Sequence, residues 1–168
     1  MLHRRTVLGL FASAAAARPA RAAALAAPAG PVILTLRGKI AAGNAEDGAR
    51  FDLAMLDALP QGRFAGETPW TKGASVFTGP LMAAVLDAAG AGGDSLRVIA
   101  LNDYSADIPL ADIRAYRVIL ASRRDGAVMS VRDKGPLWVM YPMDTNPALR
   151  NETIYTRSVW QVSAIEAR

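Results

Sequence analysis

The sequence predicts a β-rich α+β domain. Three observations carry that expectation. Short apolar, β-branched runs recur between Gly, Pro, Asn and Asp clusters, as strands bounded by turns do. Two or three short helical patterns lie among them without regular strand–helix alternation. No internal repeat or heptad pattern extends the chain into a solenoid or coiled coil. The chain is organised around Leu137–Tyr141, five large apolar residues held between Gly135-Pro136 and Pro142. Proline at both ends blocks continued pairing, which suits a short buried strand.

Taken in order, Val32–Lys39 reads as the first strand, and Gly43–Gly48 as a turn cluster. Asp52 is placed to cap a short helix over Leu53–Leu59, stopped by Pro60. Gly66 and Pro69 weaken any strand over Gly62–Trp70. Ser75–Phe77 is a short strand. The helix that follows starts at Thr78-Gly79-Pro80, with Leu81, Val85, Leu86 and Ala89 on its apolar face and Gly90 ending it. Ser95–Leu101 reads as a central strand, Asn102–Ser105 as a polar loop with an Asx-turn signal, and Leu110–Ala115 as a helical turn after the extended Asp107–Pro109. Arg117–Ser122 is a strand that turns through Arg123–Gly126 into a second over Val128–Val131. After Leu137–Tyr141 come a polar loop over Asp144–Glu152 and a closing strand from Tyr155 or Thr156 to Ile165.

The front of the chain reads as a leader. Arg4 and Arg5 precede a short apolar run over Thr6–Ala17, and Ala20-Arg21-Ala22 offers small residues for cleavage. The pair Arg4-Arg5 resembles a twin-arginine signal, and Arg18 and Arg21 suit that route. The expected organisation is a signal peptide over 1–22, a flexible Ala/Pro/Gly lead-in over 23–31, and one domain over 32–168. The mature protein is expected to be periplasmic or otherwise exported, with no transmembrane segment. Removing the four arginines of residues 1–22 leaves 15 basic and 15 acidic residues. Net charge thus gives no footprint for a nucleic-acid partner. The chain has no cysteine, and its one histidine, His3, falls in the leader. Thiolate nucleophiles, disulfides, a Ser-His-Asp triad and a typical zinc site are excluded together.

An ordered set of short motifs marks a family. Trp70, Val76–Leu81 with Val85-Leu86, Tyr104, Ile108–Leu110, Ile119–Ala121, Asp125-Gly126, Gly135–Trp138, Tyr141-Pro142 and Trp160 together resemble the oxidoreductase molybdopterin-binding domain, the fold of sulfite oxidase and its bacterial relatives. The resemblance runs from about Arg37 onward. It implies a sulfite oxidase-type fold and molybdopterin as the cofactor. In that family a cysteine thiolate ligates molybdenum, at a position that falls at about Gly66 or Glu67 of this chain. No cysteine stands there, and a carboxylate is a poor substitute for a soft thiolate, so thiolate-ligated molybdenum chemistry is not expected. The alternative is a cofactor-free protein that uses the old pterin cleft for a small anionic ligand, or serves a membrane sensor or redox partner.

The candidate cofactor-binding residues are Trp70, Asn102, Asp103, Tyr104, Arg132 and Lys134, with no metal ligands and no catalytic residue assigned. Asn102-Asp103-Tyr104 gathers an amide, a carboxylate and a phenol at a strand end, though such residues also serve as a plain turn. Arg132 and Lys134 could clamp an anion, Arg by its planar fork and Lys as a point charge. Trp138 and Trp160 read as core. Trp70, in an irregular segment beside Lys72, suits a flat anionic ligand. Glu67 and Asp103 are the acids considered for proton transfer. All six candidates are expected to share one opening.

Overall fold

A computed structural model describes residues 25–168; the leader read over residues 1–22 lies outside them. The domain is α+β, with mixed sheets and four short α-helices. The strands are β1 (Val32–Gly38), β2 (Ala49–Asp52), β3 (Gln61–Gly66), β4 (Ser75–Pro80), β5 (Ser95–Ala100), β6 (Ser105–Pro109), β7 (Ile119–Ala121), β8 (Arg123–Arg124), β9 (Ala127–Val128), β10 (Trp138–Met140) and β11 (Val162–Ala167). The helices are α1 (Leu53–Asp57), α2 (Met82–Ala88), α3 (Leu110–Ala115) and α4 (Glu152–Arg157).

One five-stranded sheet runs in the order β2-β1-β11-β5-β6, with β1 and β11 parallel and the other neighbours antiparallel. A four-stranded antiparallel sheet runs β3-β4-β8-β9, and β10 pairs with β7. The last two are joined where the Ser122 N–H donates to the Thr78 carbonyl at 2.9 Å. That approach requires Gly79, because a Cβ there would collide with the Leu120 carbonyl. The core lies between the sheets and is filled by Leu34, Leu36, Phe51, Phe64, Phe77, Leu96, Val98, Trp138 and Tyr141, all fully buried. Burying such side chains is the main favourable term in folding.

Several local readings hold. The Asp52 carboxylate accepts from the Met55 N–H at 2.8 Å and caps α1. Asp125 and Gly126 take φ of 50° and 85° in the two-residue turn between β8 and β9, the conformation such a hairpin demands. The run around Leu137–Tyr141 is buried throughout.

Five expectations are corrected. Residues 61–66 do form a strand, since the full length of β4 pairs with them and overrides the glycines. Pro80 ends β4 instead of opening α2, because the Leu81 N–H is taken by the Pro60 carbonyl and the Met82 N–H by the Val118 carbonyl. Only Ala127–Val128 extends from the β8–β9 turn; Val131–Asp133 is a 3-10 turn capped by the Ser130 hydroxyl. The closing strand begins at Val162, since Asn151 caps α4 through the Ile154 N–H at 3.1 Å and makes residues 152–157 helical. The described part of the lead-in is not loose. The Ala29 and Gly30 N–H groups each donate to Asp52 at 2.8 Å, and the Asn44 amide donates to the Ala26 carbonyl at 2.7 Å.

Candidate functional site

Four aromatic side chains wall a half-open cleft of about 330 Å³: Trp70, Tyr104, Tyr155 and Trp160. Each comes from a different segment. Trp70 follows β3 in a turn where the Thr68 hydroxyl accepts from the Trp70 N–H at 3.3 Å and bonds the Thr71 hydroxyl at 2.9 Å. Trp160 leaves α4 on residues stitched to the buried strand: the Val139 N–H donates to the Val159 carbonyl at 2.8 Å, and the Trp138 indole N–H to the Ser158 carbonyl at 3.0 Å. Tyr104 sits in the β5–β6 turn, where Asn102 accepts from its N–H at 3.2 Å, and its hydroxyl reaches the Thr156 carbonyl at 3.0 Å. Tyr155 comes from α4 itself.

The rings meet edge to face. Trp70 lies 5.6 Å from Tyr155 at 83° and 5.7 Å from Trp160 at 67°, and Trp138 packs behind both tryptophans. Edge-to-face contact is the favourable geometry for aromatic quadrupoles, so the wall is self-supporting. The Lys134 ammonium lies 4.4 Å above the centre of the Trp160 ring and 5.7 Å from that of Trp138, within cation–π range.

Of the candidate residues, Trp70, Asn102 and Tyr104 line this cleft, and Lys134 stands on one of its rings. Asp103 and Arg132 are exposed and do not line it. Trp160, expected in the core, is only half-buried and faces the opening, because the bend at Gln161 turns it out. Sequence reasoning missed Tyr155 and Gln161. Tyr155 was hidden by the strand expected there, whereas the Asn151 cap followed by Glu152 was a legible helix signal.

Gln161 joins the two polar loops. Its N–H donates to the Lys134 carbonyl at 3.0 Å, its side-chain amide to the Val131 carbonyl at 2.7 Å, and its own carbonyl accepts from the Leu101 N–H at 2.9 Å.

The polar groups of the cleft are uncharged. The indole N–H groups of Trp70 and Trp160 and the Tyr155 hydroxyl have no partner among the described residues, nor does the Asn102 side-chain N–H₂. None is a buried orphan, so all are open to solvent or ligand. No Asp or Glu lines the cleft. It therefore presents ring faces with hydroxyl, amide and indole N–H groups and no carboxylate, and the Lys134 cation stands on one of the rings.

No family model matches the chain, and no curated protein is significantly similar to it in sequence. Its fold is shared with a solved structure. The sulfane dehydrogenase SoxCD from Paracoccus pantotrophus superposes with a TM-score of 0.58 at 16% sequence identity, over 79% of this chain and 37% of that one. The likeness supports, at a distance, the sulfite oxidase-like fold. This chain spans little more than a third of that protein's length.

Molybdopterin fits the site only in part. The cofactor's metal calls for a soft protein ligand, and the chain has no cysteine. Gly66 ends β3, and Glu67 lines a separate cleft of about 230 Å³ with Thr68, Arg150 and Tyr155. Among the described residues no three of His, Cys, Asp and Glu come together to hold a metal ion. The aromatic cleft offers ring faces and unpartnered N–H groups but no metal ligand.

Proposed function

We propose that this chain is a small-ligand-binding protein on a molybdopterin-related fold, without thiolate-ligated molybdenum catalysis. The observation that carries the proposal is the aromatic cleft, whose lining offers ring faces and hydrogen-bond donors but neither thiol nor acid. Ligand sites are commonly apolar clefts of roughly 300–1,000 Å³ with a few placed polar groups, and this one lies at the small end of that range. The ligand class is a flat, acceptor-rich molecule of one or two rings, a pterin-like heterocycle included. Exported after cleavage near Ala22, such a protein would deliver or report its ligand to a membrane sensor or redox partner.

The test is made on protein purified from its own host. Metal and pterin analysis should find no stoichiometric molybdenum, and thermal-shift screening of pterins, nucleotides and aromatic acids should raise the melting temperature of wild type but not of Trp160→Ala. Stoichiometric molybdenum would overturn the proposal. Mass spectrometry of the exported chain should show a start near Ala23; retention of residues 1–22 would overturn the leader.

A further inference from the structure

We infer that the cleft selects for a negative charge on its flat ligand, that Lys134 is the residue that selects, and that Gln161 is the positioning residue that holds Lys134 in place. The inference rests on the ligand-binding reading above and specifies its charge.

Among the described residues, four that are not glycine take positive φ: Asp103 (64°), Asp125 (50°), Lys134 (72°) and Gln161 (53°). Asp125 belongs to a hairpin turn. Asp103 belongs to the β5–β6 turn, whereas Lys134 and Gln161 are bonded to each other beside Trp160. Residues held in that region carry strain that surrounding contacts must offset, and such positions concentrate where a fold holds a functional group. Here the contacts are visible. The Lys134 backbone is fixed on both sides, its N–H donating to the Val131 carbonyl at 3.3 Å and its carbonyl accepting from Gln161. Gln161 grips the same turn a second time through Val131 and is itself tied to Leu101, beside the Asn102–Tyr104 turn. The base of the lysine is therefore set by a closed network before any ligand arrives.

Its ammonium has no carboxylate within salt-bridge distance among the described residues. The adjacent Asp133 is turned to the Ser130 hydroxyl at 2.7 Å. The charge rests instead on the face of Trp160, a ring that lines the cleft. A ligand stacked on that ring lies about one screening length, ~8 Å at physiological salt, from the ammonium, near enough to sense its charge. No lining carboxylate offsets that attraction for an anion or invites a cation. A lysine used only to cover the tryptophans would need its stem, not its charge, and this separates the selecting role from a packing one.

Calorimetric titration with a matched pair of flat probes, indole-3-carboxylate and indole-3-carboxamide, tests the inference. Wild type should bind the acid about two- to threefold more tightly than the amide, the effect of an opposite charge about 8 Å away and partly screened by salt. Lys134→Met, which keeps an unbranched apolar stem, should bind both alike at the amide's affinity, and Lys134→Arg should restore the preference. Gln161→Gly, which tolerates the positive φ but lacks the bond to Val131, should narrow the preference for the acid over the amide. Equal binding of acid and amide by wild type overturns charge selection and leaves the binding proposal standing. A preference that survives Lys134→Met overturns the assignment to Lys134, and one untouched in Gln161→Gly overturns the positioning role. Binding of neither probe overturns the inference together with the ligand-binding reading.

Discussion

The indole N–H of Trp138 donates to the carbonyl of Ser158 at 3.0 Å, inside the core. One bond thereby fastens the buried strand β10 to the segment that carries Trp160 into the cleft. Trp138 is also the ring against which Phe77, Trp70 and Trp160 pack, at 5.4, 5.8 and 6.2 Å. Trp138→Ala should destabilise the domain by about 3–5 kcal/mol, the cost of a large aromatic truncation in a core. Trp138→Phe should cost less, leaving chiefly an unpaired Ser158 carbonyl, at about 1–3 kcal/mol. Urea denaturation checks both, and an unchanged midpoint in the alanine variant would remove β10 from the core.

Trp70 is half-buried, yet it touches three other rings of the cluster. Trp70→Ala should weaken binding of flat ligands in the cleft and cost about 1.5–4.5 kcal/mol in stability, from three aromatic contacts of about 0.5–1.5 kcal/mol each. Titration beside denaturation separates the two effects. Full ligand affinity in a folded Trp70→Ala protein would place the ligand elsewhere.

Asp52 holds the start of the described chain to α1. Its carboxylate accepts from Met55, Gly30 and Ala29 N–H groups, with the Met55 and Gly30 bonds the main causes that hold its pKa below the ordinary 3.8. A depressed carboxylate stabilises the folded state above its unfolded pKa, and the contribution is lost as pH falls through the folded value. Acid should therefore loosen residues 29–30 only below about pH 3.8, the ordinary carboxylate value. Hydrogen exchange at the Ala29 and Gly30 amides reads this directly. Asp52→Asn should speed that exchange at neutral pH, and equal protection in both proteins would show that the carboxylate is not the anchor.

Tyr141 sits fully buried with its hydroxyl 3.4 Å from Asp112, whose carboxylate also accepts from Arg157 at 2.6 Å. Burial first, and then the Asp112 charge, push the phenol well above its ordinary 10.0. The folded state keeps the proton while the unfolded chain loses it near pH 10. Stability is thus fully present below that pH and declines as pH rises above it. Chemical denaturation between pH 8 and 11 should show wild type losing more stability than Tyr141→Phe over the same interval. Parallel losses would mean that the phenol ionises freely in the folded protein.

Much of the local architecture was legible in the chain because it depends on neighbours within a few residues. Asp52 before an apolar pattern, Asn102 two residues before Tyr104, Asp125-Gly126 between short strands, and the run from Leu137 to Tyr141 each signal their conformation through nearby backbone groups. The α+β class followed from those pieces. The motifs that resemble a molybdopterin-binding domain led to the same fold, and the absence of cysteine removed thiolate ligation without any coordinates.

Tertiary contact decided the rest. Residues 61–66 are a strand although two of them are glycine, because β4 pairs along their whole length and a Cβ on Gly62 would strike the Ile119 side chain. Tyr155 became part of the cleft only when α4 formed and turned it toward Trp70, far away in the chain. Lys134 could be chosen as a cation from the sequence, but its seat on Trp160 depends on Gln161, whose positive φ no propensity at that residue predicts. Asp103 and Arg132 carry the same chemical promise in the sequence and stand outside the cleft. Charge and hydrogen-bonding capacity belong to a residue type, whereas the face on which they are presented is set by packing between segments distant in sequence.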